Sequence, residues 1–326
     1  MPDYVFLTGH RKGGTTLLMS LFDGHKRAIS YPSDVGLLYA YFPVFTGNKD
    51  ATAEELRTRI DLVLSETLNA IKSENNQAQI DIARVIELFW KYFGSGNLLS
   101  RPAVLDALGK AWCEYSDAPI NDTTVIFKET SQAVFHEDLI QALPALKMIN
   151  LVRDPRDNYA ALKAGVTNYY AKLGENELET LASVINRCRM DMIAARTNTT
   201  LHPKSFAAAR FEDLVADPKP VLEALCRFLG WEFDNAMLSP TVMGVAQSGN
   251  SHEGKAFSNI SADNAGAWRK RISAEEAKVI EYWCEREMQD WNYALAFDAG
   301  ERQRAFATFY SWYNARYFFR DLFRKS

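Results

Sequence analysis

The amino-acid sequence predicts an α/β fold: a P-loop-like, doubly wound parallel sheet with helical insertions. Three observations lead to this prediction. Short β-prone runs alternate with amphipathic helical patterns, and the first run leads through a glycine-containing loop into a helix. Apolar residues make up 47% of the 326, which is enough for a large core. We expect one domain over residues 1–298, with a helical cap over about 51–115, followed by a C-terminal helix over 299–326.

Strand and helix signals alternate along the chain as such a fold requires. Runs of β-prone residues predict strands, and apolar residues at helical spacing predict helices. The predicted strands are Tyr4–Thr8, one ahead of a loop at Ser30–Asp34, Val125–Phe127, Met148–Val152 and Phe206–Arg210. The predicted helices are Thr15–Asp23, Ala133–Leu143, Asp157–Tyr170, Glu177–Arg196 and one that ends at Gly230.

Composition narrows the range of partners. A net charge of −4 and a pI near 5.8 give no general attraction to nucleic acid, so we expect no nucleic-acid partner and anion binding only at a local site. The four cysteines are far apart and form no C-x-x-C pair, which predicts reduced, buried thiols and no zinc site. The start of the chain has no pattern of a signal peptide, so we expect a cytoplasmic protein.

A candidate phosphate-binding loop, G-H-R-K-G-G-T-T over Gly9–Thr16, joins the first predicted strand to the first helix. Glycines let backbone amides turn inward, the helix N-terminus adds N–H groups, and two threonines add hydroxyl donors. In a Walker A loop the lysine follows the last glycine, whereas here Lys12 precedes Gly13 and Gly14, which argues against an ATPase or kinase. The alternative is a glycine turn that only connects strand and helix.

Four blocks of sequence resemble one enzyme family in the family's order. They are G-H-R-K-G-G-T-T-L-L at 9–18, M-I-N-L-V-R-D-P-R-D at 148–157, R-F-E-D-L at 210–214 with F-L-G-W at 228–231, and G-A-W-R-K-R-I at 266–272. Together they resemble sulfotransferases that use 3'-phosphoadenosine 5'-phosphosulfate (PAPS), especially the bacterial and tyrosylprotein-like branch, and imply the sulfotransferase fold. The sequence departs from the family pattern at Gly13, where serine is usual, at Phe211, where tyrosine is common, and at Ala161, where the family has a serine.

The resemblance implies PAPS as the cofactor, adenosine 3',5'-bisphosphate (PAP) as the product, and no metal. The donor-binding residues that it implies are Arg11, Lys12, Gly13, Gly14, Thr15, Thr16, Arg153, Trp268 and Arg269. Arg153 would hold the 3'-phosphate, although an ion pair with Asp154 or Asp157 is the alternative, because an arginine fork also fits carboxylates. Ala161 removes one hydroxyl donor, which leaves open how exclusively the 3'-phosphorylated donor is used.

Four residues are candidates for the transfer itself. Lys12 would neutralise the oxygen that leaves with the 5'-phosphate, and Lys128 would contact the sulfonate. Asp34 and Glu129 compete for the role of general base, with Asp34 slightly favoured. Their structural alternatives are an exposed strand-end lysine for Lys128, a helix N-cap before Val35 for Asp34, and a partner of Lys128 for Glu129.

The resemblance therefore implies sulfuryl transfer to a hydroxyl, or an amine, of a carbohydrate, lipid-linked or other small acceptor. Two alternatives remain: a P-loop nucleotide kinase, and a non-catalytic nucleotide-binding protein at a membrane. The segment 301–326 holds six basic and two acidic residues among many aromatics, which suits either peripheral contact with anionic lipid or a packed terminal helix. A homodimer remains open.

Overall fold

A parallel sheet of five strands organises the computed structural model, which describes residues 3–38, 52–74, 80–94, 100–166, 177–246 and 260–313. The strands lie in the order β2-β3-β1-β4-β5 and every pairing is parallel. The predicted α/β class with a parallel sheet is confirmed. The strands are β1 (Asp3–Thr8), β2 (Ala28–Asp34), β3 (Thr124–Lys128), β4 (Lys147–Val152) and β5 (Phe206–Arg210).

Helices follow the strands in the alternation that the sequence predicts. In the first half of the chain they are α1 (Thr15–Phe22), α2 (Ala53–Glu74), α3 (Ile82–Phe93), α4 (Arg101–Tyr115), α5 (His136–Ala142) and α6 (Pro155–Lys163). In the second half they are α7 (Glu177–Ser183), α8 (Arg189–Leu201), α9 (Phe211–Ala216), α10 (Pro218–Leu229), α11 (Trp268–Arg271), α12 (Ala274–Asp290) and α13 (Ala299–Tyr313).

Burial explains why the three central strands read as continuous apolar runs. Nearly every residue of β1, β3 and β4 is buried, including neighbours that point to opposite faces of the sheet. A strand buried on both faces cannot alternate apolar and polar residues, as a half-exposed strand does. The runs at Tyr4–Thr8, Val125–Phe127 and Met148–Val152 are therefore recognisable from sequence alone.

The second strand is longer than the sequence predicts. The prediction of a loop at Ser30–Asp34 is wrong, because β2 continues to Asp34, which pairs with Lys128 of β3. Pro32 argues against a strand in the sequence, because proline has no backbone N–H to donate to a neighbouring strand. β2 lies at the edge of the sheet, where proline is tolerated, and the pairing register shifts between Ser30 and Asp34.

Two predicted helices also have different bounds. The helix predicted at Asp157–Tyr170 begins earlier, at Pro155, because Asp154 accepts a hydrogen bond from the backbone N–H of Arg156 and so caps it. It ends at Lys163, and residues 167–170 lie outside the described part of the chain. The helix predicted at Glu177–Arg196 is divided by a π-helical turn at Val184–Cys188.

The chain forms two compact units. The first comprises Met1–Val152 and Ala194–Ser261, and the second comprises Arg153–Ile193 and Ala262–Ser326. Within the first unit, α2, α3 and α4 occupy most of the span predicted as a helical cap. The predicted division into a domain over 1–298 and a helix over 299–326 stays a prediction. All four cysteines are free and buried, as expected.

In the second unit, α13 packs against α12. The ring of Phe306 stacks on Tyr282 at a centroid distance of 4.2 Å, and Arg302 bonds to Glu285 at 2.7 Å. Arg302 is buried, so this basic residue of the 301–326 segment helps to hold α13 against α12. Residues 314–326, which carry most of the predicted basic surface, lie outside the described part of the chain. Among the helices that the structure describes, none combines the length and apolar character that a bilayer crossing needs.

Candidate active site

The predicted phosphate loop connects β1 to α1 at the centre of the sheet. β1 lies between β3 and β4, so the chain leaves the sheet here at the point where the strand order switches direction. In open α/β sheets ligands bind at the carboxyl ends of the strands at such a switch point. The backbone N–H of Gly13 donates to the carbonyl of His10 at 2.8 Å, which closes a turn inside the loop.

Close approach of neighbouring groups requires glycine at three loop positions. A Cβ on Gly13 would overlap the carbonyl oxygen of His10. A Cβ on Gly9 would overlap the carbonyl oxygen of Leu151 in β4, and a Cβ on Gly14 would overlap the ring of Phe211. Gly14 also has a φ of 96°, in the region that favours glycine. Phe211, at the start of α9, was noted in the sequence only as a departure from the family pattern. The structure shows that its ring packs directly on the loop.

The start of α1 is suited to an anion. Gly14 immediately precedes Thr15, the first helical residue, and as a glycine it has no side chain with which to cap the first turn. No acidic residue lies in that turn, and the first N–H groups of a helix carry a partial positive charge. Lys12 lies just before this terminus with a φ of 61°, an unusual value for a residue with a side chain. The start of α1 is thus preceded in the chain by the basic residues Arg11 and Lys12, and the prediction that this loop binds a phosphate stays a prediction.

Hydrogen bonds from the segment after β3 fix the end of β1 and the start of the loop. The N–H of Ser131 donates to the carbonyl of Gly9 at 3.0 Å, and the N–H of Gln132 donates to Oγ1 of Thr8 at 2.9 Å. The N–H of Glu129 donates to the carbonyl of Leu7 at 3.2 Å. These bonds bring the end of β3 to the same edge of the sheet as the loop.

Lys128 and Asp34 form an ion pair at that edge, between the last residues of β3 and β2. The Lys128 side chain is only 6% exposed, so the alternative of an exposed strand-end lysine is wrong. The Asp34 side chain is 46% exposed, so its carboxylate meets both the lysine and the solvent. Asp34 lies in a strand instead of the predicted loop, and its carboxylate is engaged with Lys128.

Glu129 is buried beside this pair, and both of its carboxylate oxygens accept backbone hydrogen bonds. Oε2 accepts from the N–H of Gly36 at 2.7 Å, and Oε1 accepts from the N–H of Thr130 at 2.9 Å. Burial, followed by the negative charge of Asp34, raises the pKa of the Glu129 carboxyl to about 7. Glu129 therefore holds the segment after β2 in place, a role that its position in the sequence did not reveal.

In the second unit, Arg153 follows directly after β4 and is buried. Its Nη2 donates to the carbonyl of Asn264 at 3.0 Å. Arg156, three residues further on, forms buried salt bridges with Asp154 at 2.6 Å and with Glu281 at 2.5 Å. The sequence did not reveal this triad, because Glu281 lies 125 residues further along the chain.

The predicted donor-binding residues Trp268 and Arg269 belong to the second unit too. Trp268 is buried in a small core with Ala160 and Ala277. The guanidinium carbons of Arg156 and Arg269 lie 4.3 Å and 4.6 Å from the centre of its ring. These distances are typical of cation–π contacts. Within the described ranges, no group of three or more His, Cys, Asp or Glu side chains is arranged to hold a metal ion.

Comparison with known proteins identifies relatives of the whole fold. The model of a family described as the sulfotransferase family matches residues 2–235. A solved sulfotransferase domain from the curacin biosynthetic pathway is 20% identical, with a TM-score of 0.56, over 91% of this chain and 99% of that one. The sulfotransferase domain of the Synechococcus PCC 7002 olefin synthase is 18% identical, with a TM-score of 0.53, over 90% and 96%. At these identities the two structures establish a shared fold.

The contact between Gly14 and Phe211 predicts a stability difference between two glycine variants. Gly230 has a similar φ of 75°, but nothing lies within 4 Å of an added Cβ there. Gly230→Ala should lower the free energy of unfolding by about 1–2 kcal/mol, the cost of a left-handed backbone with a side chain. Gly14→Ala should lower it by about 1–3 kcal/mol more, because the ring must move. Urea unfolding measures both, and equal losses would contradict the contact.

The raised pKa of Glu129 predicts how stability depends on pH. The folded state holds this proton up to about pH 7, whereas an unfolded glutamate loses it near pH 4. Stability from this group is thus present at low pH and lost as the pH rises through 7. From pH 5.5 to 8, the unfolding free energy of the wild type should fall by about 2 kcal/mol relative to Glu129→Gln. Glu66→Gln, at an exposed position of α2, is the control and should follow the wild type.

Proposed function

The chain belongs to the sulfotransferase family, and from this premise we propose that it transfers the sulfuryl group of PAPS to a hydroxyl of a small acceptor. One observation carries the proposal most: a loop of amides with a lysine inside it leads into an uncapped helix at the switch point of the sheet. The same edge holds a buried lysine paired with Asp34, and the buried carboxyl of Glu129 follows it in the chain. A nucleotide kinase is less well supported, because Lys12 precedes the last glycines of the loop.

We assign the loop to the 5' end of the donor. The N–H groups of residues 13–16 and the hydroxyls of Thr15 and Thr16 would bind the 5'-phosphate, with Arg11 and Lys12 as cations. Lys12 would neutralise the oxygen that bridges phosphorus and sulfur as negative charge builds on it. Arg153, in the second unit, is assigned to the 3'-phosphate from its place in the R-D-P-R-D motif. Trp268 and Arg269 are assigned to the nucleotide on the same grounds.

The transfer itself is a displacement at sulfur. The acceptor oxygen forms a bond to sulfur while the bond from sulfur to the bridging oxygen breaks, and that electron pair leaves with the 5'-phosphate of PAP. The acceptor proton passes to a carboxylate. Lys128, whose buried ammonium is oriented by Asp34, would stabilise the sulfonate oxygens during the transfer. The protein would contribute by positioning the two reactants and by stabilising the negative charge that develops on the leaving oxygen.

We propose Asp34 as the general base and Glu129 as the residue that holds it in position. A base must come within hydrogen-bond reach of the acceptor hydroxyl, and about half of the Asp34 side chain is open to solvent. Glu129 is 4% exposed and bonds to the backbone through both oxygens. Its bond to Gly36 fixes the chain two residues after Asp34. The acceptor, a carbohydrate, lipid-linked or other small molecule, would then approach along the side where Asp34 is exposed.

Donor recognition is tested by calorimetric titration of the metal-free protein with PAP, AMP and ATP. PAP should bind at least about tenfold more tightly than AMP, which lacks the 3'-phosphate, since a hydrogen bond to a charged group contributes about 1.5–3 kcal/mol. Arg153→Ala should remove that preference, and Lys12→Ala should weaken PAP and AMP alike. Lys26→Ala, at an exposed position after α1, is the matched control. Preferential binding of ATP with Mg²⁺ would instead support a kinase.

The assignment of the base is tested with sulfur-radiolabelled PAPS and a panel of phenols, alcohols and monosaccharides. Asp34→Asn should lower kcat by about 10²–10⁴, the usual contribution of a general base, and Glu129→Gln should lower it less. Asp106→Asn is the control, because Asp106 also pairs with a lysine in the first unit, Lys110 at 2.6 Å. A larger loss in Glu129→Gln than in Asp34→Asn would reverse the two roles.

A further inference from the structure

Asp157 binds two backbone amides of one short segment in the second unit. Its Oδ2 accepts from the N–H of Gly266 at 2.6 Å, and its Oδ1 accepts from the N–H of Trp268 at 2.7 Å. The carboxylate is buried, with 2% of the residue exposed. Gly266 has a φ of 73°, so the backbone turns at this residue. The carboxylate thus fixes the conformation of the chain over 264–268.

Two arginines from the same stretch of chain contact this segment as well. Arg153 donates to the carbonyl of Asn264, and the guanidinium of Arg156 lies over the ring of Trp268. Arg156 is itself held by Asp154 and Glu281. Three residues at or just before the start of α6 therefore contact the segment, and among them Arg153 is the residue assigned to the 3'-phosphate.

One nitrogen of the Arg153 guanidinium is directed to the Asn264 carbonyl. That carbonyl is two residues from Gly266, the nearer of the two amides that Asp157 holds. The cost of burying the carboxylate raises the pKa of Asp157, while the charge of Arg153 and the two amides oppose that shift. A buried carboxylate with this many partners is rigid, and a rigid support reduces the ordering that ligand binding must impose on a long side chain.

We propose that Asp157 is a positioning residue for donor recognition. It holds the 264–268 segment so that the Asn264 carbonyl orients Arg153 for the 3'-phosphate of the nucleotide. This inference rests on the proposed function, because it assumes that Arg153 binds that phosphate. Asp157 itself contacts neither the donor nor the acceptor. Trp268, whose amide Asp157 also holds, is assigned to the part of the nucleotide that PAP and AMP share, so the effect on Arg153 is measured by the ratio of the two affinities.

The test compares the Kd values for PAP and AMP in the full-length protein. Asp157→Asn keeps the shape of the side chain but offers an NH₂ group to one of the two amides. It should raise the Kd for PAP about tenfold more than the Kd for AMP, within the range for a lost hydrogen bond to a charged group. A loss of stability alone would not change the ratio of the two values. The Gly266 and Trp268 amides should also exchange hydrogen faster in this variant.

Glu276→Gln is the matched control. Glu276 also lies in the second unit and also joins α6 to a backbone amide, since it accepts from Tyr159 and Lys163 and from the N–H of Ser273. None of these three contacts involves a residue of the 264–268 segment. Its substitution should leave the ratio of the Kd values for PAP and AMP unchanged. In a double-mutant cycle, Asp157→Asn should add little to Arg153→Ala, because both act through the same guanidinium.

The outcomes separate the inference from the proposed function. A wild type that does not prefer PAP to AMP would remove the proposed function. If the wild type prefers PAP and Arg153→Ala abolishes the preference, but Asp157→Asn retains it, the positioning role is wrong. Gly266→Ala is the second variant in case Asp157→Asn does not fold, because it strains the same turn at φ 73° without removing the carboxylate. It should lower the preference for PAP, and full retention would overturn the inference.

Discussion

The close approach of the first loop to its neighbours is the constraint on which the first unit depends. Gly9 passes so near the Leu151 carbonyl, and Gly14 so near the Phe211 ring, that neither position has room for a Cβ. This proximity lets the loop turn at the carboxyl ends of β1 and β4 and begin α1 at Thr15. The positive end of the helix therefore begins directly after the basic residues of the loop, which is the arrangement on which the proposed anion site depends.

Both units use a buried carboxylate to hold a segment of backbone. Glu129 binds the amides of Gly36 and Thr130, and Asp157 binds those of Gly266 and Trp268. A buried carboxylate is costly unless its oxygens are bonded, and backbone N–H groups of irregular segments need acceptors that helices and strands do not supply. The backbone N–H groups therefore satisfy the carboxylate oxygens, and the carboxylate supplies the acceptors that these N–H groups lack. The raised pKa of both carboxyls shows that burial still outweighs the stabilising partners.

Features coded by neighbouring residues were predictable from the sequence, whereas features made by distant residues were not. The strands of the sheet, the loop at Gly9–Thr16 and the end of α10 at Gly230 each have a local pattern, and the structure has them. The extension of β2 to Asp34 depends on pairing with β3, and Pro32 hides it. The salt bridge between Arg156 and Glu281 and the hydrogen bond between Asp157 and Gly266 join residues more than 100 positions apart. A single sequence gives no signal for such contacts.

The absence of a hydroxyl at Ala161 can be understood together with these long-range contacts. A serine there would supply one more hydrogen bond to a 3'-phosphate, worth about 1.5–3 kcal/mol for a bond to a charged group. Orientation of Arg153 by Asn264 would act instead on the entropy of binding. A guanidinium that is already directed loses less side-chain freedom when a ligand binds, and ordering a flexible side chain costs about 0.5–1.5 kcal/mol. The second contribution is the smaller of the two but acts in the same direction. In the proposed function, a rigid Arg153 would therefore offset part of the binding energy that the family pattern obtains from the hydroxyl.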